Sequence, residues 1–258
     1  MNETSATLRH AGEARAPVSA DDRLPPPWGF WSTLGWALGA FVLGGVIVGG
    51  GVLWLTRNQP DNLPDVQHDP WFPLQFILIN LVQIAVVAWA ARSAGWPVAR
   101  YLGLVRPRRR DLMHGVAALA VLILALEILT HVLGRESVTP FQSDSYRPAR
   151  AADLLPLLWL AFVIAAPVGE EIVFRGFVFR GWAASRLGPQ LTILLTSLIF
   201  SAAHTQYDWF GVVQTFCIGA LFGWLRWRSG STTLAILLHM GVNFVATAWA
   251  AIKAEGLV

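Results

Sequence analysis

Gly169-Glu170-Glu171-Ile172-Val173-Phe174-Arg175-Gly176 decides the reading of this chain. It sets two adjacent carboxylates and a guanidinium inside a sequence that is otherwise lipid-like. Leu154 to Val168 carries no charge, and Phe177, Val178 and Phe179 follow. A charged side chain at bilayer depth costs roughly 2.5–3.5 kcal/mol on insertion scales, so its presence needs a physical reason. Glu171 and Arg175 supply part of one. They are four apart and share a helical face, with the acid on the N-terminal side, the better-oriented arrangement. Glu170 lies about 100° away around the helix and has no partner within the segment. The spacing makes Glu171 and Arg175 a structural pair and leaves Glu170 as the working acid.

The surrounding composition agrees with a membrane setting. Of 258 residues, 55% are hydrophobic and 14% charged, against about 25% charged in soluble domains. The expected fold class is an all-α polytopic transmembrane helical bundle of about seven spans. The apolar segments are roughly 30–55, 72–91, 112–133, 153–185, 190–205, 210–227 and 232–252. A span needs about 20 apolar residues, so the fifth and sixth are short. The fourth is too long for one straight span, and Pro167 is expected to kink it. Residues 1–27 are polar, end in Pro25-Pro26-Pro27, and are expected to be a disordered tail. The first apolar run is too long for a signal peptide and reads as a retained anchor. The lone Cys217 can form no disulfide within one chain and no cysteine-based metal site.

The net charge of +3 comes from arginine. Because the arginines flank apolar segments, they read as topology and not as a nucleic-acid surface. Arg92, Arg100, Arg106, Arg108, Arg109, Arg110, Arg180, Arg186, Arg226 and Arg228 fall on one side, with Arg9, Arg15 and Arg23 of the tail. Arg57, Arg135, Arg147, Arg150 and Lys253 fall on the other. The richer side is cytoplasmic by the positive-inside rule. The expectation is a multi-pass cell-membrane protein with its N-terminus inside and its C-terminus outside. The loop 57–71, with Asp61, Asp65 and Asp69, then lies outside. Gly35/Gly39, Gly45/Gly49 and Gly219/Gly223 have G-x-x-x-G spacing, which lets helices approach closely.

Other polar residues interrupt the apolar pattern. Phe200 and His204 are four apart, as are His239 and Asn243, and Glu127 and His131. Gly188-Pro189 reads as the turn between segments four and five. Glu170 precedes Gly188 by 18 residues and His204 follows it by 16. At about 1.5 Å per residue those are about 27 and 24 Å, so an antiparallel hairpin brings both to one level. His239 enters segment seven from the same side, so all three can meet near mid-bilayer. Glu127 and His131 sit near the outer end of their span and read as structural. Asn80, Gln83 and Gln214 read as interhelical hydrogen bonds.

Glu, His, His and Asn suit hydrolysis with water as nucleophile. A carboxylate in an apolar site suits a general base near neutral pH. His204 could hold the same water or carry its proton, while His239 and Asn243 could donate to the oxyanion of a tetrahedral intermediate. Alternatively Glu170, His204 and His239 could hold a zinc ion. These residues alone leave both routes open. The chain has no H-E-x-x-H and no G-x-S-x-G.

The ordered trio Glu170-Glu171-x-x-x-Arg175, Phe200-x-x-x-His204 and His239-x-x-x-Asn243 resembles the CPBP family. That family comprises the type II CAAX prenyl endopeptidases and their bacterial bacteriocin-processing, abortive-infection-like relatives. Tyr101-Leu-Gly-Leu104 also looks like the family's loop, so the resemblance spans about residues 95–252. It divides the chain into the tail, N-terminal transmembrane helices at 28–95 and a protease core at 96–258. It implies an intramembrane endopeptidase acting on a peptide or protein substrate at the membrane. In that reading Glu170 and His204 activate water, and His239 and Asn243 stabilise the oxyanion. Glu171, Arg175 and Phe200 give structural support. The family is classed as metalloprotease, and a metal-free glutamate route is also proposed for it. The rival reading is a non-enzymatic immunity or scaffold protein in the membrane.

Overall fold

A computed structural model describes residues 27–57, 68–135 and 140–257. The tail up to residue 26, and Asp61 and Asp65 of the acidic loop, lie outside the described residues. Among the described residues the chain is helix and turn, with no strand. The helices are α1 (Phe30–Thr56), α2 (Phe72–Ser93), the short α3 (Val98–Tyr101), α4 (Arg109–Val132), α5 (Pro140–Ala151), α6 (Leu155–Ala183), α7 (Gly188–Ala202), α8 (Trp209–Ser229) and α9 (Thr232–Ala254). Each of the seven apolar segments holds a long helix. Five of these, α1, α2, α4, α6 and α9, are long and apolar enough to cross a membrane. The apolar α7 is shorter, at 15 residues. The polar helix α5 lies outside the seven apolar segments, because its proline and charges give no apolar run.

The packing is that of a bundle in lipid. Val121, Leu124, Val42 and Leu53 point outward, while Thr33, Thr192, Thr196, Ser197 and Thr232 are buried. Small and polar groups let helices approach and bond where apolar burial gives no advantage. The serines and threonines of α7 return their hydroxyls to their own helix: Thr192 to the Gly188 carbonyl and Ser197 to that of Ile193, both at 2.7 Å. Side-chain and glycine caps mark the boundary of the last two helices. The Asp208 carboxylate accepts from the Gly211 N–H at the start of α8, and Gly230 (φ 71°) closes its end. Ser231 then caps α9 through the Leu234 N–H.

The glycine pairs of α1 do not make the close approach their spacing suggested. Nothing stands within 4 Å of where a Cβ would sit on Gly35, Gly39, Gly45 or Gly49. α1 instead turns Thr33, Ala37, Ala40, Gly44 and Val48 inward, and Gly44 meets Ile79 of α2. Gly219 and Gly223 do serve packing, against Phe200 and Ile193 of α7.

One of the two tightest crossings is Gly169 of α6 on α2. A Cβ there would stand 2.0 Å from Asn80 Oδ1 and 2.9 Å from Asn80 Cβ, so rotating the side chain cannot make room. Gly169→Ala is expected to lower stability by about 1–3 kcal/mol through overpacking. A thermal melt in detergent measures it, and an unchanged midpoint would show that α2 yields freely. Asn80 is not the interhelical bond expected of it: its amide donates to the Phe76 carbonyl of its own helix. Gln214 does bond across helices, to Thr130 Oγ1 of α4 at 3.0 Å.

The long α6 stays continuous through two π-helical stretches, Leu160–Ala165 and Ile172–Val178. They flank the α-helical turn Ala166–Glu171 that carries both glutamates. Pro167 lies at the junction, where it has no N–H to give the ladder. Where a kink was expected at this proline, the helix has a wider π turn directly before it.

Candidate active site

The buried platform of the site is built from α6. Arg175 donates through Nη1 to Glu171 Oε1 at 3.0 Å, and both side chains are 0% exposed. Arg175 Nη2 donates to the Gly219 carbonyl of α8 at 2.9 Å. Phe200 of α7 lies over the guanidinium, 4.6 Å from carbon to ring centre, a cation–π contact inside a dry core. The pair that sequence spacing suggested therefore also ties α6 to α7 and α8.

Glu171 has a second task. His239 Nδ1 lies 3.0 Å from Glu171 Oε1. A carboxylate only accepts, so Nδ1 carries the proton and the ring's free nitrogen is Nε2. That nitrogen stands 3.8 Å from Glu170 Oε2. The gap exceeds a direct hydrogen bond and suits a bridging water. The Glu170 side chain keeps 19% of its surface open where that of Glu171 keeps none.

His204 is fixed by the end of a helix. α7 stops at Ala202, so Phe200 and His204 do not share a helical face as expected. Instead His204 Nδ1 donates to the Phe200 carbonyl at 2.7 Å, one of the acceptors left over at the helix terminus. Its Nε2 then has no hydrogen-bond partner among the described residues. The imidazole is flanked by Phe200, with centroids 4.6 Å apart, and by Tyr207 at 5.5 Å in a stacked arrangement.

Asn243 is held by a consequence of Pro167. In the preceding π stretch the Ala166 N–H bonds to Ala161, five residues back. The same register would give the Phe162 carbonyl to residue 167, which is proline. That carbonyl accepts instead from Asn243 Nδ2 at 2.8 Å. One N–H of the amide is thereby used and a second remains.

Glu170, His204, His239 and Asn243 line one cavity of about 400 Å³. Its apolar wall includes Phe72, Phe76, Phe141 and Phe162, and its polar wall Gln142, Gln206 and Tyr207. A smaller cavity of about 160 Å³ adjoins Glu170 and His204 beside Asn80 and Gln83. Glu127 and His131 do not line the main cavity. Among the described residues, no three His, Cys, Asp or Glu side chains stand in a group that could hold a metal ion. Glu170, His204 and His239 thus share a cavity without standing together as a ready-made zinc set.

Tyr207, in the loop between α7 and α8, gave no sequence signal: it is one aromatic residue in an aromatic-rich chain. Its ring stacks on the His204 imidazole. For any activity that depends on His204, Tyr207→Phe is expected to keep the rate and Tyr207→Ala to lower it by up to about 10²-fold, the cost of a misplaced group. Initial rates of both variants measure it, and equal loss in both would assign the role to the hydroxyl.

Residues 152–245 match the family model described as "Type II CAAX prenyl endopeptidase Rce1-like". The matched stretch contains all three motifs that carry the resemblance. An Escherichia coli protein titled "Uncharacterized 24.3 kDa protein" is 32% identical over 127 residues, covering 48% of this chain and 58% of that protein. The "CAAX prenyl protease 2" of Caenorhabditis elegans is 28% identical over 103 residues, covering 33% of this chain and 38% of that protein. The "UPF0177 protein YxdF" of Lactococcus lactis is 23% identical over 91 residues, covering 34% and 49%. The chain therefore spans less than two thirds of the length of each of these relatives. No solved structure matches it.

Proposed function

We propose, taking the match over residues 152–245 as the premise, that this helical membrane protein is an endopeptidase that cleaves within the bilayer. The observation that carries the reading is the cavity shared by Glu170, His204, His239 and Asn243, with the two acids differently placed. A water between Glu170 and the free Nε2 of His204 loses its proton to Glu170 and attacks the peptide carbonyl. The oxyanion forms beside His239 and Asn243. His239 donates through Nε2 when that nitrogen is protonated, and Asn243 through its remaining N–H. Glu170 then passes the proton to the leaving amine, so the acid is unchanged over the cycle. Glu171 fixes the orientation of the His239 ring through Nδ1 and stands beside the doubly protonated imidazole that donates through Nε2, while Arg175 holds Glu171 in place.

Purified protein in proteoliposomes, given a panel of prenylated C-terminal peptides and plain transmembrane peptides, tests the reading by mass spectrometry of the products. Cleavage that persists in chelator, from protein without stoichiometric metal, is the expected outcome. One zinc per chain, with cleavage lost to chelator and restored by zinc, would transfer Glu170, His204 and His239 to the metal route. No cleavage of any peptide, together with a cellular phenotype that survives loss of Glu170, would favour the immunity or scaffold reading.

A further inference from the structure

The cavity lies off-centre in the bundle, and the charges at its two ends say which way it faces. α2 runs from Phe72, which lines the cavity, to Arg92. Twenty residues separate them, about 30 Å along the helix. In α9 the lining residues begin at His239 and reach Thr247, 7 and 15 residues after Thr232, about 10 and 22 Å from the arginine-rich end. The remaining lining residues come from α5 and the loop after α7, both at the far end, and from Phe162, Ala166 and Glu170 of α6, a helix that starts at that end with Leu155.

Between the cavity and the arginine-rich end the bundle is packed solid. Arg175, Phe177, Phe222, Leu234, Tyr101 and Leu102 are each below 2% exposed. Thr232 Oγ1 donates to the Leu102 carbonyl at 2.6 Å, and Ser231 Oγ to that of Val105 at 2.6 Å. These bonds tie the arginine-rich loop onto the turn between α8 and α9. The cavity end, by contrast, is bordered by α5, which is fastened to the end of α9 where Arg150 and Tyr146 both donate to Glu255. Those two donors hold the Glu255 carboxyl below its usual range, the arginine having the larger effect.

Ten arginines flank the closed end, six between residues 92 and 110 and four at Arg180, Arg186, Arg226 and Arg228. The cavity end has Arg57, Arg135, Arg147, Arg150 and Lys253. Two of these are already paired, Arg135 with Asp208 and Arg150 with Glu255. Positive charge is retained on the cytoplasmic side. We infer that the cavity opens to the non-cytoplasmic face of the membrane. The peptide it takes is then a segment of an exported or outward-facing polypeptide, cleaved in the outer half of the bilayer. This rests on the peptidase reading for its substrate, whereas the facing of the cavity is measured independently of cleavage.

The test uses the full chain in cell membranes with Cys217→Ser as background. Single cysteines are introduced as Gln142→Cys at the cavity and Arg108→Cys at the start of α4, and treated with a charged, membrane-impermeant maleimide. Gln142→Cys is expected to label in intact cells to the level reached after permeabilisation, and Arg108→Cys only after permeabilisation. The reverse pattern overturns the inference while leaving the peptidase reading intact. Gln206→Cys repeats the measurement at a second lining position should Gln142→Cys fail to insert. Loss of the peptidase reading would in turn leave the labelling pattern unchanged.

Discussion

Glu170→Gln is expected to lower peptide cleavage by about 10²- to 10⁴-fold, the usual worth of a positioned general base. The amide keeps the shape of the carboxylate and removes its basicity. Three features make this a test of chemistry and not of folding. Glu170 takes no part in the bonds among Glu171, Arg175 and Gly219 that join α6 to α8. Its side chain borders an open cavity, so a neutral amide there is not left dry. Its nearest ionisable partner, His239, is held independently by Glu171. The thermal midpoint should therefore stay near that of the parent while the rate falls. The measurement is an initial rate in proteoliposomes beside a melt of the same sample. A variant that melts normally and cleaves at the parent rate would remove Glu170 from the mechanism.

Arg175→Met should act in the opposite way, through stability. It removes the cation from a pair that is fully buried on both sides and leaves Glu171 with only His239 as a partner. Breaking a buried pair by deleting one member costs about 3–5 kcal/mol, because the remaining charge is uncompensated. The substitution also frees the Gly219 carbonyl and uncovers the face of Phe200, so the contacts of α6 with α7 and α8 loosen together. The expected result is poor recovery of folded protein and a lowered midpoint. Arg175→Met combined with Glu171→Gln should regain part of the loss, since the orphaned charge is then gone. Equal stability of the single and double variants would show that the guanidinium is held by its carbonyl and ring contacts and not by the acid.

Much of this was legible before any coordinates. The i, i+4 relation of Glu171 and Arg175 is a property of one helix, so the spacing alone gives the pair. The turn at Gly188, with φ of 66°, and the similar chain lengths on either side of it bring Glu170 and His204 to one level. What spacing cannot carry is the rotation of one helix against another. The glycines of α1 illustrate this: the motif is present, but the inward face is a different stripe. His204 illustrates a second limit. An offset of four gives a shared face only while the helix continues, and here the helix ends two residues earlier.

The sequence by itself determined that this is a helical bundle for lipid, with a charged segment held inside it and one acid of that segment left over. It did so because composition, span length and i, i+4 offsets are local quantities. Only the tertiary structure decided that Glu171 orients His239, that the Phe162 carbonyl freed at Pro167 anchors Asn243, and that Tyr207 stacks on His204. The first two link residues 68 and 81 positions apart, and Tyr207 lies beyond the end of its helix. In each case the partner is chosen by the register between packed helices or by a break in the helical ladder. No period in the chain records either.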